Sequence, residues 1–229
     1  MVLALDQDRL RPALVLARSL RGAVGLLKVG SQLYTAEGPR AIDRLAGLGF
    51  EIFLDLKFHD IPNTVARAVA AAADLPDVTM LTLHASGGGA MMRAAREALA
   101  GRKTRPALLG VTVLTSLDSE ALVEIGFSGT VASCAVKLAK LAQESGLDGV
   151  VTSSHEVAAV RRACGPKFLI AVPGIRARTG SANDQSRVAT PGEAVRAGAS
   201  YLVVGRPITL APNPREAALG MAKEIAAAL

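Results

Sequence analysis

The sequence predicts an α/β protein with a single domain, a (β/α)8 barrel (TIM barrel) that spans residues 1–229. Three observations predict this fold. Short, almost continuously apolar runs recur eight times, as expected of parallel strands that are buried on both faces. Alanine-, leucine- and arginine-rich segments with helical spacing separate these runs. Each strand and helix together take roughly 29 residues, which is close to the minimum for a barrel of this kind.

The predicted strands are evenly spaced along the whole chain. They are Val2–Asp6, Leu26–Val29, Glu51–Lys57, Val78–His84, Ala107–Leu114, Gly149–Ser153, Phe168–Pro173 and Tyr201–Gly205. An open, doubly wound sheet is the structural alternative, but such a sheet rarely has eight strands of such even spacing. No low-complexity segment or linker divides the chain, so the pattern favours one barrel domain.

Several segments between the strands have the spacing of amphipathic helices. They include Asp8–Arg21, Thr64–Ala73, Gly89–Ala100, Val131–Ser145 and Ala217–Ala228. Glycine is the residue that most often ends a helix, because it adopts the left-handed conformation without steric cost. The glycines that fit this role are Gly22, Gly101, Gly146 and Gly198.

The composition indicates a soluble, cytoplasmic protein. No apolar stretch is long enough to span a membrane, and the first strand begins too early for a signal peptide. Cys134 and Cys164 lack CxxC or metal-ligand spacing, which is typical of free thiols in a reducing compartment. The net charge is +6, but basic residues are scattered and aromatic residues make up only 3%. An anionic small molecule therefore suits the charge better than nucleic acid does.

The strongest chemical signal is a cluster of charge at the end of the third strand, in the segment DLKFHDIPNT at 55–64. Because strand side chains alternate between faces, Asp55 and Lys57 should point to the same side, next to each other. Asp60 follows in the loop, and Pro62 fits the first turn of a helix. A cation placed between two anions at the end of a buried strand indicates a chemical role.

Other polar residues also fall at the carboxyl ends of strands, the end at which barrels of this type carry their sites. Asp6 ends the first strand, and Lys28 lies near the end of the second. Each alone is as compatible with a solvated surface as with a site. Beside the charged cluster of the third strand, the pair favours function. The later strands add His84, Thr115, Ser116, Arg176 and Arg206.

A phosphate site is predicted after the last two strands, where barrels often bind phosphate through backbone N–H groups and a short helix. Gly205 allows a close backbone approach, and Arg206 can donate two parallel hydrogen bonds to a phosphate. The long polar segment from Gly174 to Gln185 follows the seventh strand. Beside a phosphate site, such a segment favours a lid that closes over a charged ligand.

A set of short motifs resembles the bacterial branch of the orotidine 5′-phosphate decarboxylase family over essentially the whole chain. The motifs are ALD at 4–6, KVG at 28–30, DLKFHDIPNT at 55–64, HASGG at 84–88, VTVLTS at 111–116, GLDGVV at 146–151, VPGIR at 172–176, DQSR at 184–187, TP at 190–191, AGA at 197–199 and GRPIT at 205–209. Their order and their positions at strand ends argue against a chance recurrence.

The resemblance implies a reaction and a set of roles. The reaction is the decarboxylation of orotidine 5′-monophosphate to uridine 5′-monophosphate, the last step of UMP synthesis, with no metal and no other cofactor. Lys57 would protonate the pyrimidine carbon that loses carbon dioxide. Asp55 would lie against the departing carboxylate, and Lys28 and Asp60 would complete an alternating row of charge.

The resemblance also implies how the substrate is bound and that the enzyme is a homodimer. Asp6 and Lys28 would hold ribose hydroxyls, and the pyrimidine would lie near Thr115 and Ser116. The phosphate would be bound by Gln185, Gly205 and Arg206, with Arg176 in or beside the lid. Asp60, Ile61 and Thr64 would enter the site of the neighbouring subunit.

Two alternatives remain open from the sequence. A metal-dependent sugar-phosphate decarboxylase or aldolase of the same superfamily would share the barrel and the Asp-x-Lys-x-x-Asp element. The residues Pro62, Asn63 and Thr64 and the segment Leu114-Thr115-Ser116 favour the orotidylate branch instead. A basic, non-enzymatic RNA-binding protein would bind nucleic acid in a strongly salt-dependent way, but it would leave the charged cluster of the third strand unexplained.

Overall fold

The computed structural model describes residues 1–176 and 189–229. Eight parallel strands close into a barrel in the order in which they occur along the chain, which confirms the predicted fold. The strands are β1 (Val2–Ala4), β2 (Leu26–Gly30), β3 (Glu51–Phe58), β4 (Val78–His84), β5 (Ala107–Val111), β6 (Gly149–Val151), β7 (Leu169–Val172) and β8 (Tyr201–Val204). Several end one to three residues earlier than predicted, because the last residues of the predicted runs already belong to the loops.

Helices connect the strands and cover the outside of the barrel. They are α1 (Leu10–Ser19), α2 (Ser31–Glu37), α3 (Pro39–Ala46), α4 (Pro62–Ala73), α5 (Gly88–Glu97), α6 (Ser119–Glu124), α7 (Val131–Glu144), α8 (Val157–Cys164), α9 (Pro191–Arg196), α10 (Arg206–Thr209) and α11 (Pro214–Ala226). The predicted start of α4 is correct, with Pro62 in its first turn. Within the described ranges, no helix combines the length and the apolarity that crossing a membrane requires.

Two apolar layers hold the barrel together. Leu27, Leu54 and Leu81 are fully buried between the strands and the surrounding helices. A smaller cluster fills the inside of the barrel and consists of Val2, Ala4, Phe53, Met80, Leu109, Ala171 and Val203. Because strand side chains alternate, residues two positions further along point inward again, above this layer. The side chains in those positions line the mouth of the barrel.

The pairing of β3 with β4 is irregular near the mouth. Leu54 pairs with Leu81, and the next pair is Phe58 with Leu83, so three residues of β3 oppose a single residue of β4. Within this bulge Lys57 has a φ of 51°, a left-handed conformation that costs a non-glycine residue about 1 kcal/mol or more. Bulges re-aim side chains and occur often beside active sites. Lys57 is therefore placed by an irregularity of the strand and not by simple alternation.

Candidate active site

A cavity opens at the carboxyl ends of the strands, at the face where the sequence predicted a site. Eight of the predicted site residues line it: Asp6, Lys28, Asp55, Lys57, Thr115, Arg176, Gly205 and Arg206. They come from the ends of six different strands or the loops that follow them. The closed barrel thus brings together residues that are as far as 200 positions apart in the sequence.

A row of alternating charges lies along one side of this cavity. Nζ of Lys57 lies 2.8 Å from Oδ2 of Asp55. The same carboxylate oxygen lies 3.3 Å from Nζ of Lys28, and Lys28 in turn lies 3.4 Å from Oδ1 of Asp6. The predicted contact between Asp55 and Lys57 is therefore present, and Lys28 of β2 and Asp6 after β1 extend it into a continuous ionic chain.

The Asp55 carboxyl group is buried, with only 6% of the residue exposed. Burial by itself raises the pKa of this group. The charges of Lys28 and Lys57, with hydrogen bonds from Lys57 and Thr82, outweigh the effect of burial, so the net pKa of Asp55 is lowered. A buried carboxylate with two ammonium neighbours consequently remains ionised at neutral pH.

Lys28 is held tightly at the end of β2. Its side chain is only 12% exposed, and its ammonium lies close to the backbone of Gly30. A Cβ atom at position 30 would come within 3.0 Å of Nζ of Lys28, so glycine leaves the room that the ammonium occupies. The motif KVG at 28–30 thus has a steric explanation.

Asp60 does not join the row of charges of its own chain. Its carboxylate accepts a hydrogen bond of 2.6 Å from the N–H of Ile61, and it forms no ion pair with any described residue. Asp60, Ile61 and Thr64 are all exposed on the rim. Within one chain, then, an anion lies between two cations at the mouth, whereas the sequence suggested a cation between two anions.

The opposite side of the cavity is formed by the ends of β7 and β8. Gly205 and Arg206 follow β8, and Arg206 begins the short helix α10. Arg176 is buried, and its backbone N–H donates to the carbonyl of Ala189 at 3.0 Å. Arg176 and Arg206 line the same cavity as Lys57. The predicted lid from residue 177 onward, including Gln185, lies outside the described residues.

Two predicted pyrimidine neighbours are placed differently from each other. Thr115 lines the cavity, whereas the neighbouring Ser116 is exposed and is not part of the lining. The sequence interpretation missed most of the apolar wall, which includes Phe53, Val111, Val113, Val151, Ile175 and Val203. Strand alternation could have identified Phe53, Val151 and Val203, which belong to the inner face of the barrel, whereas Val113 and Ile175 lie beyond the ends of β5 and β7.

Two histidines lie next to the charged row without entering it. The rings of His59 and His84 have centroids 5.2 Å apart. Burial lowers the pKa of His84, and the charges of His59 and Lys57 lower it further, against an opposing effect of Asp55. A neutral imidazole at the end of β4 follows from these surroundings. No group of three His, Cys, Asp or Glu side chains suited to a metal ion occurs within residues 1–176 and 189–229.

Comparison with known proteins identifies the family. The profile of the "Orotidine 5'-phosphate decarboxylase / HUMPS family" matches residues 1–221. The orotidine 5′-phosphate decarboxylase of Chromohalobacter salexigens is 52% identical over 226 residues, which cover 99% of this chain and 95% of that protein. The enzyme of the same name from Nitrosococcus oceani is 53% identical over 224 residues, which cover 98% and 96% of the two chains.

The chain belongs to the orotidine 5′-phosphate decarboxylase / HUMPS family.

The family assignment agrees with the fold. A crystal structure of orotidine 5′-phosphate decarboxylase from Lactobacillus acidophilus is similar with a TM-score of 0.84 and 38% identity, and the match covers 98% of both chains. The name of the family profile joins two groups of proteins, the orotidine 5′-phosphate decarboxylases and the HUMPS proteins. The relatives that share about half of their residues with this chain carry the decarboxylase name, so the orotidylate branch is favoured over the sugar-phosphate branch.

Proposed function

We propose that this protein is an orotidine 5′-monophosphate decarboxylase, a carboxy-lyase that forms uridine 5′-monophosphate in pyrimidine biosynthesis. One observation carries the proposal at the level of the site. The buried Asp55 carboxylate lies between the ammonium groups of Lys28 and Lys57, at the mouth of a barrel of the matching family. This arrangement supplies both a fixed proton donor and a fixed negative charge.

The chemistry requires a proton donor beside the reacting carbon. When carbon dioxide leaves, the electron pair of the broken bond stays on a pyrimidine carbon that has no adjacent electron sink. The Lys57 ammonium would stabilise this developing charge and then transfer a proton to the carbon. Its position is supported from two directions, since the backbone bulge aims the side chain and Asp55 at 2.8 Å provides the counter-charge.

Asp55 would face the carboxylate of the substrate. Because its pKa is lowered, it carries a negative charge when the substrate binds, and two carboxylates in one buried site repel each other. Departure of neutral carbon dioxide relieves that repulsion. Lys28 touches both Asp55 and Asp6, which supports a role for Lys28 and Asp6 in holding ribose hydroxyls next to the reacting ring.

Phosphate binding is assigned to the side of the cavity opposite the charged row. Gly205 and Arg206 begin a short helix there, and Arg176 lines the same wall. Together with Lys28 and Lys57, these arginines give the described lining four cations against the two carboxylates of Asp6 and Asp55. A substrate that carries a phosphate and a carboxylate matches this excess of positive charge. Gln185 is proposed as a further phosphate ligand, and Thr115 and Ser116 as neighbours of the pyrimidine.

We further propose that the catalytic unit is a homodimer in the cytoplasm. Asp60, Ile61 and Thr64 would enter the site of the partner subunit, where Asp60 would provide the second anion next to Lys57. The exposure of all three residues, with Ile61 at 68%, supports this arrangement, because their side chains remain accessible to a partner subunit. Buried, unpaired Cys134 and Cys164 agree with a reducing compartment.

The activity is tested by mixing purified protein with orotidine 5′-monophosphate and following the loss of its ultraviolet absorbance. The protein should be produced in a host that lacks its own decarboxylase, and the Lys57→Ala variant purified in parallel controls for contamination. We expect rapid loss of absorbance with the unmodified chain only, and no effect of a metal chelator. Folded protein without activity would refute the proposal, and chelator-sensitive activity would favour the sugar-phosphate branch.

The shared site is tested by combining two inactive variants, Lys57→Ala and Asp60→Asn. If Asp60 acts in the partner's site, a mixed dimer has one site with both defects and one intact site. Random pairing after co-expression should then restore activity to about a quarter of all sites. If Asp60 acted in its own site, every site would carry one defect, and the mixture would stay as inactive as the separate variants.

A further inference from the structure

A threonine hydroxyl lies behind the charged row and is absent from the lining of the cavity. Thr82 belongs to β4 and is fully buried, with 0% of the residue exposed. It follows Met80 of the inner apolar layer by two positions, so its side chain points into the barrel. It is the residue of β4 that lies opposite the bulge of β3, between the pairs Leu54 with Leu81 and Phe58 with Leu83.

Both hydrogen-bonding functions of this hydroxyl are directed at the two central residues of the site. The backbone N–H of Lys57 lies 2.9 Å from Oγ1 of Thr82, and Oγ1 lies 2.8 Å from Oδ1 of Asp55. A backbone N–H can only donate, and an ionised carboxylate can only accept. The direction is therefore fixed: Lys57 donates to Thr82, and Thr82 donates to Asp55.

We infer that Thr82 is a positioning residue, whose hydroxyl fixes the Asp55 carboxylate and the Lys57 backbone relative to each other. The inference rests on the proposed decarboxylation. The Thr82 hydroxyl donates to Oδ1 of Asp55. The other oxygen, Oδ2, therefore faces Nζ of Lys28 at 3.3 Å and Nζ of Lys57 at 2.8 Å. A carboxylate free to rotate would present either oxygen to the two ammonium groups.

The bulge explains why a side chain is needed at this point. In a regular parallel pair, backbone carbonyls of β4 would accept the hydrogen bonds of β3. Where three residues oppose one, the Lys57 N–H is out of register with the backbone of β4, and the Thr82 hydroxyl accepts its hydrogen bond instead. The same bond helps to hold Lys57 at its positive φ of 51°, the conformation that aims its ammonium.

The test compares Thr82→Val, which keeps the shape but removes the hydroxyl, with Thr82→Ser, which keeps the hydroxyl. Because hydrogen bonds to charged groups are among the stronger ones, we expect Thr82→Val to lower kcat by roughly 10- to 100-fold, with a smaller change in KM. The serine variant should restore most of this loss. The acidic limb of the pH–kcat profile should also move to higher pH in Thr82→Val, because Asp55 loses a hydrogen bond that favours its ionised form.

The matched control is Thr79→Val on the same strand, since Oγ1 of Thr79 is buried and has no hydrogen-bond partner among the described residues. This variant should keep the activity and pH profile of the unmodified protein. If Thr82→Val does not fold, as judged by circular dichroism, Thr82→Cys provides the same comparison, because a thiol is a weak donor. Equal kcat and pH profiles in the Thr79 and Thr82 variants would overturn the inference, whereas inactive unmodified protein would refute the proposed function itself.

Discussion

The two ends of the barrel hold ion pairs of opposite design. At the amino ends of the strands, Arg105 precedes β5 and Asp148 precedes β6. Both oxygens of Asp148 accept hydrogen bonds of 2.7 Å from separate nitrogens of Arg105, and Oδ2 also accepts from the N–H of Leu108 at 2.8 Å. At the mouth, a single oxygen of Asp55 faces two ammonium groups.

The difference separates a pair that stabilises the fold from a group arranged for chemistry. The Arg105–Asp148 pair is bidentate, neutral and complete, so nothing remains for a ligand to satisfy. At the mouth, two lysines compete for one carboxylate oxygen, and two arginines add further positive charge. In barrels of this kind the amino-terminal face contributes stability, and the carboxyl-terminal face carries the activity. Substitutions at the two ends should therefore affect different measurements.

The largest expected effect is that of Lys57→Ala on turnover. This variant removes the proposed proton donor, and general acid catalysis together with electrostatic stabilisation contributes about 10⁴-fold or more. We expect kcat to fall by at least that factor in a steady-state absorbance assay. The melting temperature should change little, because Lys28 and Thr82 still contact the Asp55 carboxylate in this variant.

Retention of more than a tenth of the original rate by folded Lys57→Ala would contradict the role of proton donor. A Lys57→Arg variant is the matched control, because it keeps a positive charge next to Asp55 but holds its protons more firmly. Loss of activity in both variants would show that the proton, and not the charge alone, is required.

The second largest effect is expected for Arg206→Ala, which should lower kcat/KM for the substrate but leaves the proton donor in place. Two charge-assisted hydrogen bonds to a phosphate would be lost, which corresponds to a decrease in kcat/KM of roughly a hundredfold or more. Arg18→Ala changes the net charge equally on an exposed position of α1 and should leave kcat/KM unchanged. Equal kcat/KM values for both variants and the unmodified enzyme would remove the phosphate assignment.

The sequence predicted which residues lie at the mouth of the barrel more completely than it predicted how the charged side chains contact one another. Asp6, Lys28 and Asp55 could be placed correctly, because each falls near the end of an apolar run and the carboxyl ends of parallel strands meet at one face. The fold followed from the same regularity. The bulge at Lys57 could not be predicted from alternation, since a bulge depends on the pairing of two strands that are distant in the sequence.

Thr82 escaped prediction for a related reason. A threonine in an apolar strand is compatible with a simple half-buried position, and its partners become apparent only when β3 and β4 are paired. The Arg105–Asp148 pair was missed as well, because its residues are 43 positions apart and Arg105 belongs to none of the motifs. Predicting contacts of this kind requires the register of neighbouring strands, which a single sequence does not specify.

The third expected effect concerns stability at the other end of the barrel. Asp148→Asn removes a bidentate pair whose side chains are 27% and 23% exposed, so we expect a loss of about 1–3 kcal/mol in the free energy of unfolding. The kcat of the folded variant should not change. Asp74→Asn is the control, because its carboxylate pairs with Arg102 but is 70% exposed, and it should change stability by less than about 0.5 kcal/mol.

The smallest effect is the pH dependence of the difference in stability between the unmodified protein and Asp148→Asn. Burial raises the pKa of Asp148, but hydrogen bonds from Arg105 and Leu108 and the charge of Arg105 outweigh burial, so the folded-state pKa is lowered. A carboxyl group with a lowered folded-state pKa contributes its full stability above the unfolded value of about 3.9, and this contribution is lost as pH falls through the folded-state pKa.

Urea unfolding of the unmodified protein and Asp148→Asn at a series of pH values should therefore give a constant gap in stability between about pH 5 and 8, which narrows below about pH 4. Asp55 also has a lowered pKa, so its contribution to the stability of the protein is likewise lost as the pH falls. Because Asp55 is present in both proteins, its contribution cancels in the gap. A gap that stayed constant into the acidic range would mean that the bidentate pair does not lower the pKa of Asp148, and the contrast between the two ends of the barrel would then rest on activity alone.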